Sequence, residues 1–134
     1  MQQNTFKLWE NVFPGKETET PLITFYKPLR KTSTAAVVIF PGGGYGARAA
    51  HEGEGYANML TSYGISAFVV SYRVSPARFP DELLDARRAV RYVRANSEKF
   101  GIDKNKIAEK TGYGKRVYAC LCDVLCGCGK RRRC

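Results

Sequence analysis

Two uninterrupted apolar runs set the terms on which this chain can fold: Ala35 to Phe40, AAVVIF, and Ser66 to Ser71, SAFVVS. A strand with one wet face alternates apolar and polar residues, whereas a run without alternation belongs in a sheet covered on both sides. Residues 52–63 between the two runs are long enough for a helix, and Gly64 stands where a helix end favours a residue able to adopt the left-handed conformation. Strand, helix and strand in that order predict a parallel, right-handed βαβ unit. The fold class that follows is α/β.

The flanks extend the same pattern. Phe6 and Leu8 alternate with polar residues, and Leu22 to Tyr26 is β-rich between Pro21 and Pro28, so two short strands are expected to open the chain. After the turns at Ser75-Pro76 and Phe79-Pro80, Leu83, Ala86, Val90 and Val93 recur at helical spacing, which predicts a helix from Asp81 to about Lys99 that Gly101 can stop. Asp81, Glu82 and Asp85 sit in its early turns, as the helix dipole prefers. Arg87, Arg88, Arg91 and Arg94 read as a solvated face, with Asp85 pairing to Arg88 at i,i+3. Ile107-Ala108 looks like the start of a further strand.

Composition matters mainly through its unevenness. With 134 residues, 44% of them hydrophobic, the chain has one domain's worth of globular sequence. All five cysteines lie in the last fifteen residues, and residues 109–134 carry seven Lys and Arg against two acidic residues, half of the total excess charge of +10. The expected division is therefore 1–108 as the folded part and 109–134 as a Cys-rich basic tail. Met1-Gln2-Gln3-Asn4 lacks the basic and apolar regions of a signal peptide, and no window approaches about 18 consecutive apolar residues. A cytoplasmic protein without a membrane span is the expectation.

The first apolar run leads straight into Pro41-Gly42-Gly43-Gly44-Tyr45-Gly46. Glycines after a strand let backbone N–H groups come close to a ligand. One candidate ligand is a dinucleotide such as NADP, because the run formally matches G-x-G-x-x-G/A. That fold, however, starts its helix within the glycines and closes the next strand with an acidic residue. Here the loop continues to about Ala50, and the next strand ends Ser71-Tyr72-Arg73. The other candidate is the oxyanion formed when an ester carbonyl is attacked.

A resemblance bears on that choice. The Trp-containing first strand, the PGGGY loop, HEGE at His51 to Glu54, GISAFVVSYR at Gly64 to Arg73, and DARRAVRYVRAN followed by FGIDKNKIA, ending at Ala108, occur in the order of an α/β-hydrolase. They resemble its esterase and lipase branch, specifically bacterial acetyl esterases acting on xylan and related carbohydrates, over residues 6–108. The resemblance implies the N-terminal half of a mostly parallel sheet with helices on both faces. It implies serine-dependent hydrolysis of a small carboxylic ester without a cofactor. It makes Gly43 and Gly44 oxyanion-hole donors, with Tyr45 shaping the pocket wall, and gives His51 and Glu52 a supporting role behind them.

Past Ala108 the resemblance stops. In the family a strand leads into a nucleophile elbow G-x-S-x-G, whereas this chain reads Glu109-Lys110-Thr111-Gly112-Tyr113-Gly114 and has no serine after Ser97. His51 is the sole histidine. Catalytic nucleophile, acid and base are thus expected to be absent, and the sequence reads as an esterase truncated or frameshifted before the elbow and inactive.

The tail leaves two further readings. Cys120, Cys122, Cys126 and Cys128 are candidate thiolate ligands for a soft metal, and the basic run Lys130 to Arg133 is a candidate phosphate contact, although C-x-C pairs lack the spacing of common zinc sites. Neither metal, nucleic acid nor membrane is the expected partner. In the family's strand order Ala35 to Phe40 lies between Ser66 to Ser71 and a fifth strand. Without that neighbour an open edge and aggregation are expected, unless Arg116 to Leu125, RVYACLCDVL, fills the gap.

Overall fold

The computed structural model describes residues 2–10, 19–43, 46–78 and 80–111. Five strands, β1 (Gln2–Lys7), β2 (Leu22–Lys27), β3 (Ala36–Phe40), β4 (Ser66–Ser71) and β5 (Ile107–Thr111), form one mixed sheet in the order β1-β2-β4-β3-β5. Around it lie α1 (Ala50–Ser62), α2 (Asp81–Ala95) and the single turn α3 (Ser97–Phe100). The ladders β4–β3 and β3–β5 are parallel, while β1–β2 and β2–β4 are antiparallel. Trp9, read as part of the first strand, lies just past the end of β1.

The two apolar runs become β3 and β4, two of the three inner strands of a sheet clothed on both sides. On one face α2 lays Ala86, Ala89, Val90 and Val93 against Val38, Phe68 and Val70. Phe100 of α3 closes that face, its ring 4.7 Å from Phe25 and 5.0 Å from Phe68. On the other face Ala57 of α1 meets Tyr26, Ile39 and Ala67. Each fully buried Val, Ile or Phe contributes about 1.5–3 kcal/mol, so these two layers are the main driving force of the fold.

Gly64 ends α1 as expected. At φ 81° it donates to Thr61 O, while Ile65 N–H donates to Leu60 O, the paired bonds of a Schellman cap. The second long helix departs from expectation, because it breaks at Asn96 into α2 and α3. The Asn96 amide and backbone N–H both donate to Tyr92 O, at 2.8 and 3.1 Å, and this local bonding stops α2 a turn early. Gly101, at φ 65°, then ends α3.

Two further expectations are overturned. Asp85 does not pair with Arg88: it is fully buried and bonded to Arg73, whereas Arg88 donates to Leu8 O and lies over the Trp9 ring. A buried carboxylate needs a partner that shares its desolvated position, and Arg73 at the end of β4 is buried with it. Nor is β3 left with an open edge. The strand begun at Ile107 continues to Thr111 and pairs with β3 from Ala36↔Ile107 to Phe40↔Thr111. Ile107, Glu109 and Thr111 are half-buried while Ala108 and Lys110 are exposed, the alternation of a strand with one covered face. Among the described residues β5 is the edge on that side; Arg116 to Leu125 lies outside them.

Candidate functional site

β3 delivers its chain to the end of the sheet at Pro41, and from there residues elsewhere in the fold hold the base of the loop. The Pro41 carbonyl accepts the Tyr72 hydroxyl. Gly42 N–H donates to Glu52 Oε2 at 2.8 Å, and Gly42 O accepts Ala49 N–H at 2.8 Å, closing the loop at its base. Gly43 sits at φ 148°, and a Cβ there would lie 2.1 Å from Ala47 O, so only glycine fits. Among the described residues Gly43 N–H has no acceptor, while Gly43 O accepts Gly46 N–H at 3.2 Å. Gly44 and Tyr45 lie outside the described residues.

The helix that follows is fitted to this loop. Gly53, in the first turns of α1, is buried where a Cβ would come 3.1 Å from both Pro41 Cγ and Val69 Cγ1, so its bareness lets α1 press against the loop and β4. Glu52 thereby reaches Gly42. His51, one residue earlier, points to solvent with a side chain 84% exposed and lies 4.0 Å from Glu52 Oε1. Of the two residues given a supporting role, Glu52 touches the loop and His51 does not.

Arg48 and Glu19, which no motif singles out, complete the frame. Arg48 holds Glu19 through two bonds of 2.9 and 3.1 Å and donates to Tyr72 O at 2.6 Å, and Glu19 also accepts Val74 N–H. Bonding to Arg48 keeps the Glu19 carboxyl below the usual carboxylate range, against the opposing effect of its burial. Beneath them Arg73 forms a buried cluster with Asp81 and Asp85, and Trp9 Nε1 donates to Asp85 Oδ1 at 2.9 Å. Trp9, the Ser71-Tyr72-Arg73 strand end and the acidic start of α2 are each visible in the sequence, but their pairing is not.

This arrangement fixes a buried Gly42 and an exposed Gly43 at the C-terminal end of a parallel strand. α1 starts at Ala50, several residues beyond the glycines, and its N-terminus is not built from them. That is not the geometry that seats a pyrophosphate on a helix start. Among the described residues no group of three or more His, Cys, Asp and Glu is placed to hold a metal; Cys120, Cys122, Cys126 and Cys128 lie outside them. Among the described residues no helix is long and apolar enough to cross a membrane.

Comparison with known proteins sets this geometry in a family. The BD-FAE family model matches residues 23–112, more than half of the chain and all of the loop and its frame except Glu19 and the Trp9 contact. The chain belongs to the BD-FAE family. It is 39% identical over 75 residues to endo-1,4-beta-xylanase B of Butyrivibrio fibrisolvens, and 39% identical over 80 residues to esterase LipC of Mycobacterium tuberculosis. Those matches cover 53% and 58% of this chain but 12% and 20% of the two relatives. The solved acetyl ester-xyloside bifunctional hydrolase of Caldicellulosiruptor lactoaceticus superposes with a TM-score of 0.79 at 38% identity, over 87% of this chain and 45% of that one. The BD-FAE chain is thus a partial, esterase-like α/β hydrolase, spanning less than half of that structure.

Proposed function

We propose that this chain is the oxyanion-loop half of a serine-dependent carboxylic ester hydrolase, and that the residues described and the sequence beyond them supply no attacking group. The observation that carries the reading is Gly43. It is held in a conformation that excludes every side chain, and its N–H meets no described acceptor, while its neighbour Gly42 is already bonded to Glu52. Preorganised N–H donors of this kind stabilise the charge that collects on a carbonyl oxygen under attack, each by roughly 10² to 10³ in rate. Donation to the oxyanion then falls to Gly43 and Gly44, with Tyr45 beside them, and Glu52 acts as a positioning residue that orients Gly42. The names of the relatives favour an acetyl ester on a carbohydrate as the substrate class of the whole enzyme.

Loss of the nucleophile alone removes nearly all triad-dependent rate. The full chain is therefore expected to show no turnover of p-nitrophenyl acetate above buffer and no labelling by a fluorophosphonate. Brisk hydrolysis, or a covalent adduct on any side chain, overturns the assignment of inactivity. The loop assignment has its own test. Co-expression with the remaining C-terminal part of a relative is expected to restore ester turnover, and G43V in this chain to abolish it. Restored turnover that survives G43V would dismiss Gly43 as a donor.

A further inference from the structure

We propose that a cavity at the opposite end of the sheet binds a small aromatic carboxylate, independently of the ester-hydrolase reading. Gln2 opens β1, Ser66 opens β4 and Lys27 ends the antiparallel β2, so all three lie at one end of the sheet. The glycine loop leaves the other end, because β3 runs parallel to β4. At the first end these residues line a cavity of about 500 Å³, within the range of small-molecule sites.

Its chemistry divides into a floor and a rim. Phe6, Phe25 and Phe100 supply an aromatic floor, and Lys27, Lys31 and Lys99 supply the cationic rim. The Lys99 ammonium lies 4.7 Å from the centroid of the Phe6 ring and 5.7 Å from that of Phe100, so charge and floor adjoin. Lys31 Nζ comes within 3.0 Å of where a Cβ on Gly101 would stand; the bare glycine lets that ammonium lean inward. Glu98 also lines the cavity and offsets one of the three charges. Even so, none of the three lysines forms an ion pair with a described carboxylate, which leaves them available to a ligand anion.

Three compact ammonium groups, one of them offset by Glu98, suit a small singly charged anionic head such as a carboxylate, and the phenylalanine floor suits a flat apolar body. The two features together select an acid that is charged at one end and aromatic at the other.

The test is an amide-resolved NMR titration of the full chain with benzoate, and with benzamide as its neutral counterpart. Benzoate is expected to shift the amides of Lys31, Ser66 and Gly101 saturably, and raised salt to weaken it. Benzamide is expected to bind at least about tenfold more weakly, and K31Q/K99Q to weaken benzoate by a similar factor. K27Q, at an exposed position on the same rim, provides a second variant should the double change disturb the fold. Absence of saturation, equal binding of benzamide, shifts centred on Gly42 and Gly43, or benzoate affinity unchanged in the lysine variants would each overturn the proposal.

Discussion

Gly53 and Gly55 lie two residues apart on α1 and meet opposite surroundings. Within a helix either glycine costs about 0.5–1 kcal/mol relative to alanine. At Gly55 nothing stands within 4 Å of an added Cβ, so G55A is expected to recover that amount. At Gly53 the Cβ would press on Pro41 and Val69, one tied by Tyr72 and the other fixed in β4, and G53A is expected to fall below the parent. Urea titration of the two variants gives the ranking. Glu109 makes a second prediction at this scale. Burial, against the pull of Arg94, pushes its pKa up to about 7, and its Oε1 is buried without a bond among the described residues. Between the unfolded value near 4.5 and about 7, the folded state keeps a proton that the unfolded chain has released, so stability falls as pH rises through that window and levels off above it. E109Q is expected to flatten the slope and to be the more stable above pH 7, by about 1 kcal/mol once solvent screening is allowed for. A thermal-melt series against pH decides it. None of this was visible in the sequence, where Glu109 marked only the point at which the motifs end.

At the scale of elements, what was legible followed from patterns internal to one segment. The runs of β3 and β4, the Gly64 stop and the Leu83, Ala86, Val90 and Val93 face of α2 each need only their own residues, and each stands as read. What failed depended on a partner distant in sequence. Asp85 has Arg88 three residues away, yet its charge is met by Arg73, which comes to it only because β4 ends beside the first turns of α2. Glu19 has no signature at all until Arg48 closes on it. The Arg73–Asp85 pair also shows how firmly β4 and α2 are joined. D85A would take from the fully buried Arg73 guanidinium the carboxylate that it bonds most closely, leaving the 3.9 Å contact with Asp81, at an expected cost of about 3–5 kcal/mol, a large share of a domain's usual 5–15. Replacing both partners with apolar residues, as in R73M/D85L, is expected to restore much of the loss, and denaturation of the three proteins side by side measures it.

For the molecule as a whole, the sheet separates two unlike ends. The glycine loop stands at the C-terminal ends of the parallel strands, and the lysine-rimmed cavity lies at the other end. The hairpin of β1 and β2 is joined to the rest through the β2–β4 ladder, the Phe25 contacts and the bond from Trp9 to Asp85. If those links make one cooperative unit, far-ultraviolet circular dichroism and indole emission follow the same urea transition. That coincidence is the expected result, and an earlier change in emission would show the hairpin peeling away first. Trp9 is the sole tryptophan, with its N–H on the buried carboxylate and the Arg88 cation 5.3 Å from the centre of its ring. Nature has thereby installed an unlabelled optical gauge at the seam between the opening hairpin and α2, and its colour reads out whether that seam is shut.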